Sequence, residues 1–265
     1  MLFGVVNAAP AANASPLGAT MRILDLFAGK GGEMRRAEIE QRGHEYITLD
    51  IDPKFGCNIT ADIFDMSAEK LGNFDFVWAS VPCEAFSVAA MGHHWGGGHR
   101  AYLPKTPHAE LSQRLVIHTL QIISDMKPKA YIIENPRGVL RKMPFMQSLP
   151  RTTVTYCQYG DSRMKPTDLW GVVPNWQPRP MCKNGATCHE ASPRGSRTGT
   201  QGMKNAADRA VVPQELWSSM LDALEGKSAP NNACTVTASG VGMQSVIPLQ
   251  TSMFQDVSPA IFGGR

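Results

Sequence analysis

No stretch of the 265-residue chain reaches 18 consecutive apolar residues, so no helix of membrane-spanning length is expected. The first 20 residues contain no charged side chain. They lack the basic start of a secretory signal and read as a flexible leader ahead of a core that begins near Met21. Cysteine is scarce: Cys57, Cys83, Cys157, Cys182, Cys188 and Cys234 are too few to staple a chain of this length. A secreted disulfide scaffold is excluded, and a reduced intracellular setting is expected. No internal repeat is evident. Hydrophobic residues make up 43% and charged residues 18%, which excludes a disordered or fibrous protein. One catalytic-sized domain with a small appendage fits the length.

The net charge is only +3, but it is unevenly spread. From Arg141 to Arg209, eleven Lys and Arg stand against four Asp and Glu. Such a block suits a polyanion partner, or else a solvated basic surface.

Apolar runs alternate with helical periods. Met21–Phe27, Tyr46–Asp50, Phe74–Ser80 and Ala130–Glu134 read as strands. Glu33–Gln41 and Leu111–Met126 read as helices, and Arg209–Leu224 as a further helix with Pro213 near its start. This order implies a doubly wound α/β fold with a parallel sheet, whose ligands lie beyond the carboxyl ends of the strands. The expected division is a leader at 1–20, a catalytic domain at 21–172, a small irregular module at 173–208 and a C-terminal helix and polar tail at 209–265. Pro174–Asn205 is dense in Pro, Gly, Arg and Ser without a period.

The sequences of chemical interest all follow strand ends. Asp25-Leu-Phe-Ala-Gly-Lys-Gly-Gly32 is a glycine-rich strand-to-helix turn. It lacks the spacing of a phosphate-cradling NTPase loop. Asp50, at the next strand end, suits both hydroxyls of a ribose. Ser80-Val-Pro-Cys-Glu-Ala-Phe-Ser87 presents Cys83 to a cleft, where it is either a small buried hydrophobe or a nucleophile. Ile133-Glu-Asn-Pro-Arg-Gly138 places Glu134 where a carboxyl can hold a proton near neutral pH, or simply pair with Arg137. Cys182, Cys188 and His189 could supply three metal ligands and Cys157 a fourth, for tetrahedral zinc. The alternative is a set of unrelated thiols. The run Gly92-His-His-Trp-Gly-Gly-Gly-His99 reads as a mobile loop after the cysteine, able to close over a ligand.

Together, D-L-F-A-G-x-G-G, P-C followed by F-S, and E-N resemble the DNA cytosine-5 methyltransferase family, in the family's order. T-Y-C-Q-Y-G-D-S-R-M-K-P-T-D-L-W-G is similar to compact bacteriophage and prophage members, which leaves restriction-modification, phage self-protection and regulation open as roles. The resemblance covers about Met21 to Gly171. It implies a Rossmann-like S-adenosylmethionine-dependent fold with a small irregular DNA-recognition module. It further implies methyl transfer to carbon 5 of a flipped-out cytosine in double-stranded DNA, by a monomer in the cytoplasm of a bacterial or phage-infected cell. Cys83 and Glu134 would carry catalysis, with Asn135 and Lys165. Asp25, Phe27, Ala28, Gly29, Gly31, Gly32, Asp50, Ile51, Asp62, Ile63 and Pro82 would hold the cofactor. Transfer of a modified group, action on RNA and non-catalytic DNA binding are the alternatives. Two departures stand out. Arg163-Met-Lys-Pro-Thr167 replaces the family's glutamine-x-arginine-x-arginine, so Thr167 stands where a second arginine is usual. The usual C-terminal asparagine motif is not recognisable, although Asn231 or Asn232 could substitute.

Overall fold

The computed structural model describes residues 20–97, 102–183, 185–190 and 206–227. In chain order the elements are β1 (Arg22–Leu26), α1 (Gly29–Gln41), β2 (Glu45–Asp50), β3 (Ile59–Thr60), α2 (Ala68–Leu71), β4 (Phe76–Ser80), α3 (Met91–His94), β5 (Trp95–Gly96), β6 (Leu103–Pro104), α4 (Pro107–Met126), β7 (Ala130–Pro136), β8 (Arg151–Thr155), β9 (Pro166–Val172), α5 (Ala206–Ala210) and α6 (Gln214–Leu224). Seven strands form one sheet in the order β3-β2-β1-β4-β7-β9-β8. All run parallel except β9, which is antiparallel to both neighbours. β5 and β6 pair separately as a two-stranded ribbon.

Strand pleating sends alternate residues to opposite faces, and each face has its own core. Leu24, Val77 and Ile133 belong to one cluster, with Val116, Ile123 and Met126 of α4. Ile23, Phe76, Trp78 and Ile132 belong to the other, with Ile39 of α1 and Leu216, Trp217, Met220 and Leu221 of α6. The Trp217 ring centroid lies 4.7 Å from that of Trp78 and 5.7 Å from that of Phe76. This is a Rossmann-like, doubly wound fold. The crevice at the switch between β1 and β4, where the strand order reverses, lies beyond the strands' carboxyl ends.

Several details differ from the sequence reading. Helix α4 starts at Pro107, because the Thr106 hydroxyl accepts from the Ala109 amide at 3.2 Å and Pro107 suits a first helical position. Its buried stripe is Ala109, Ser112, Val116, Thr119, Ile122, Ile123 and Met126, whereas Leu115, Ile117 and Leu120 flank it half-buried. The single helix expected over Arg209–Leu224 is two, α5 and α6, because Pro213 disfavours helical backbone in the residue before it and has no amide to donate. β8 and β9 were not visible in the pattern. Pro166, a buried Asp168 and Gly171 interrupt any alternation, and β9 is the strand that departs from an all-parallel sheet. The run after Cys83 is not a bare loop: α3 and β5 occupy 91–96, and the rest of it, with His99, lies outside the described residues. Residues 174–183 and 185–190 contain neither helix nor strand. The leader at 1–19 and the tail from 228 onward, with Asn231, Asn232 and Cys234, also lie outside the described residues.

Candidate active site

β1 ends in a tight turn. Phe27 adopts φ 58° and Gly29 φ 52°, both left-handed. A left-handed phenylalanine is strained backbone, and such strain concentrates at ligand sites. The Ala28 amide donates to the Leu49 carbonyl at 3.1 Å and the Gly29 amide to Asp50 Oδ2 at 3.0 Å, tying the turn to the end of β2. Asp50 Oδ1 accepts from the Asp52 amide at 3.0 Å. Backbone donors thus fix the carboxylate, and each oxygen keeps a further lone pair for a hydroxyl. A Cβ placed on Gly29 would meet nothing within 4 Å, so open space lies over the turn. Ile51 is 64% exposed beside it. Gly31 and Gly32 are buried in the first turn of α1, against Arg35 and Thr48 respectively.

Asp25, grouped with the cofactor residues in the sequence, is fully buried beneath the turn. Its Oδ2 accepts from Arg35 Nη2 at 2.5 Å and from the Tyr46 hydroxyl at 2.5 Å, and the Arg35 guanidinium lies 4.8 Å over the Trp217 ring. Its other oxygen has no hydrogen-bond partner. Asp62 caps a short helix by accepting from the Phe64 amide at 3.0 Å. Ile63 is buried, and its carbonyl lies 2.9 Å from His118 Nε2.

β4 delivers the Pro-Cys turn. Pro82 and Cys83 are half-buried just past Ser80, which lies opposite Glu134 of β7 in the parallel register. The Asn135 side-chain amide donates to the Val81 carbonyl at 3.0 Å, so this buried asparagine anchors the turn. Its Oδ1 is buried without a partner. The turn is held from the other side as well. The Val139 amide donates to the Phe86 carbonyl at 2.8 Å, Trp95 Nε1 donates to the Ala85 carbonyl at 2.7 Å, and the Phe86 and Trp95 rings stack at 5.5 Å. A Cβ on Gly138 would fall 2.3 Å from the Phe86 carbonyl oxygen, so only glycine permits this approach.

Glu134 is buried. It accepts from the Tyr156 hydroxyl at 2.9 Å and hydrogen-bonds with Ser80. Desolvation raises its pKa, against the opposing pull of Lys165, Tyr156 and Ser80. Lys165 is buried with φ 23°. Its ammonium donates to the Arg209 carbonyl at 2.8 Å and lies 4.5 Å from the Tyr156 ring centroid. Burial lowers its pKa, while Glu134 and Cys83 work the other way. The Cys83 thiol is pushed up, first by burial and then by the Glu134 carboxylate, and Lys165 counters in part. Cys83 is therefore a protonated thiol in the free protein, in the field of a buried carboxyl whose own pKa is raised and of a cation.

The motif loop explains one departure. Thr167 is fully buried and hydrogen-bonds with Tyr156. Tyr156, unnoticed in the sequence because no period or spacing marks it, supplies the contact to Glu134. Arg163 bonds Asp161 and lies near the carbonyls of Asp208 and Arg209. The basic block is also less free than its composition suggests, since Arg141 pairs with buried Asp168, Arg163 with Asp161 and Arg179 with Glu215. The four metal-type residues do come together: ligand atoms of Cys157, Cys182, Cys188 and His189 all lie within 4.8 Å of one another.

Among the described residues, no helix is long and apolar enough to cross a membrane. A profile described as C-5 cytosine-specific DNA methylase matches residues 21–144. A probable DNA (cytosine-5)-methyltransferase of frog virus 3 (isolate Goorha) is 30% identical over 171 residues, covering 63% of this chain and 78% of that protein. Type II methyltransferase M.DsaV of Dactylococcopsis salina is 29% identical over 127 residues, covering 45% of this chain and 32% of that one. Similar solved structures include the Entamoeba histolytica methyltransferase EhMeth, with a TM-score of 0.43 and 13% identity over 65% of this chain and 58% of that one. Dnmt2 methyltransferase of S. pombe has a TM-score of 0.41 and 13% identity over 60% of this chain and 51% of that one. The chain thus spans most of the viral relative but a third of M.DsaV and little more than half of the solved chains. With the match to the viral relative over most of its length, the chain belongs to the C-5 cytosine-specific DNA methylase family.

Proposed function

We propose that the protein methylates carbon 5 of cytosine in double-stranded DNA, acting as a monomer in the cytoplasm of a bacterial or phage-infected cell. The observation that carries the reading is the convergence of Cys83, just past the end of β4, with buried Glu134, which lies opposite Ser80 in register, and with buried Lys165 just before β9. S-adenosylmethionine fits the crevice at β1 and β2. Phe27 and exposed Ile51 suit a flat purine, Asp50 suits the ribose hydroxyls, and Gly29 leaves room for the chain between. When bound, that cofactor supplies an electrophilic methyl group.

The rest falls to the chain's own residues. A cytosine leaves the stack to reach a half-buried thiol. Cys83 loses its proton, and its sulfur bonds to ring carbon 6. Electron density moves through the ring toward nitrogen 3, where Glu134, whose proton affinity burial raises, delivers a proton. Carbon 5 becomes nucleophilic and takes the methyl group. Loss of the carbon 5 proton to a base then re-forms the ring double bond and expels the Cys83 thiolate, and nitrogen 3 returns its proton to Glu134. Tyr156 and Ser80 orient Glu134, Asn135 fixes the turn bearing Cys83, and Lys165 stabilises negative charge.

Incubation of duplex DNA or tRNA with isotopically labelled S-adenosylmethionine, followed by mass spectrometry of the nucleosides, tests this. Labelled 5-methylcytosine in DNA is expected, lost in Cys83→Ala. Label in RNA, or a different mass increment, would establish one of the alternatives, and a fully active Cys83→Ala protein would refute the mechanism.

A further inference from the structure

Outside the active site, the described residues hold one cluster whose chemistry the transfer reaction does not use. Cys157 lies in the single turn Tyr156–Tyr159 after β8. Cys182, Cys188 and His189 lie in the irregular segment after β9. Cys182 Sγ is 3.2 Å from Cys188 Sγ and 3.5 Å from His189 Nδ1, and Cys188 Sγ is 3.7 Å from that nitrogen. All four ligand atoms fall within 4.8 Å of one another. A tetrahedral zinc with Zn–S bonds of about 2.3 Å has ligand-to-ligand edges of about 3.7 Å, within the spread seen here.

We propose that Cys157, Cys182, Cys188 and His189 bind one structural zinc ion. Three thiolates and an imidazole nitrogen form a soft, closed donor set, which selects zinc over the hard cations and leaves no position for a reactive water. Binding releases the thiol protons, so the metal forms four bonds without any change of oxidation state. Gln158 Nε2 lies 3.7 Å from Cys188 Sγ, a donor directed at a ligating sulfur from outside the first set of bonds.

The segment has need of such a staple. Between Pro174 and Glu190, Trp176 is the one large aromatic, and the described backbone there joins no helix or strand. Three of its backbone amides are anchored by single hydrogen bonds, Arg179 to the Tyr159 hydroxyl at 2.8 Å, Cys182 to the Thr155 hydroxyl at 2.8 Å and Glu190 to the Ser162 carbonyl at 2.9 Å, while the Trp176 indole donates to Ser219 at 3.0 Å and Arg179 pairs with Glu215, both on α6. The three amide bonds land on the stretch from Thr155 to Lys165. The zinc therefore clamps the segment to the turn that begins with Tyr156, the residue that holds Glu134, and to the loop that leads to Lys165.

Metal analysis of the full-length protein, purified reduced and without chelator, tests the site directly. About one zinc per chain is expected. Cys188→Ser should lose it, and Cys57→Ser, remote from the cluster, should keep it. Cobalt exchanged into the wild type should show thiolate-to-cobalt charge transfer and the strong visible bands of a tetrahedral ion. Stripping the metal should lower the melting temperature, and zinc should restore it. The wild-type measurements stand even if the serine variant fails to fold. Zinc below roughly a tenth per chain with no cobalt spectrum would overturn the proposal. So would peptide mapping that finds Cys182 and Cys188 joined as a disulfide in the reduced preparation.

Discussion

If Cys83 is a neutral thiol whose pKa is set by burial and two opposed neighbours, its reactivity should follow those neighbours by sign. Glu134→Gln keeps the side chain's size and hydrogen-bonding capacity but removes the negative charge that raises the thiol. Lys165→Met removes the positive charge that lowers it. Each unit of pKa is a tenfold change in thiolate fraction. The thiolate also becomes a weaker nucleophile as its pKa falls, with a Brønsted slope of about 0.4–0.5. At a pH well below the thiol's pKa, each unit of lowering therefore yields a net gain of about three- to fourfold in rate. The assay is the rate of reaction with an aromatic disulfide, followed against pH, with the Cys83→Ala rate subtracted to remove the other thiols. In the wild type, the Cys83 midpoint should lie above the ordinary thiol value of 9.0. Glu134→Gln should move it down and quicken the reaction at neutral pH, and Lys165→Met should move it up and slow the reaction. A Glu134→Gln protein that reacts no faster than wild type, or a Lys165→Met protein that reacts faster, would show that the three groups are not electrostatically coupled. The reaction of wild-type Cys83 with the disulfide should rise with pH across the neutral range for the same reason.

Two further substitutions probe the supporting structure. Arg35→Met strands the buried Asp25 carboxylate and should cost about 3–5 kcal/mol in urea unfolding, with much of the loss recovered when Asp25→Asn is added; an unchanged midpoint in the single variant would contradict the pairing. Gly138→Ala drives a methyl into the Phe86 carbonyl and should cut methyl-transfer turnover by well over tenfold while leaving cofactor affinity, measured by calorimetry, close to wild type; equal loss of both would mean the damage is global.

How much of this was readable in the chain depends on how local the cause is. β1, β2, β4 and β7 are short apolar runs ending at polar residues, and each stands within two residues of its expected limits. Cys83, Glu134 and Asp50 could be named because each immediately follows or ends such a strand. β8 and β9 could not, because Asp168 is buried only by virtue of Arg141, 27 positions away in sequence. Tyr156 and Trp217 escaped notice for a similar reason: their partners, Glu134 and Trp78, are brought to them by the fold and leave no periodic mark. The basic block misled in part, since composition counts charges but not the carboxylates that several of them meet. The cysteine cluster was legible as a donor set, and its convergence needed the turn after β8 to meet the segment after β9.

The position of α6 has a consequence for how the protein is made. Arg42 pairs with Asp222 and Glu225, some 180 positions later, and Trp217 closes over Trp78 and Phe76. During synthesis from the N-terminus, the sheet can assemble well before α6 leaves the ribosome. Until then, Ile23, Phe76 and Trp78 form an uncovered greasy strip on one face of a nearly finished domain. The nascent chain thus passes through a stage in which it is most in need of a chaperone late in translation rather than early, and stalling or premature termination anywhere between β9 and α6 would release a sticky, sheet-bearing fragment rather than a harmless unfolded one.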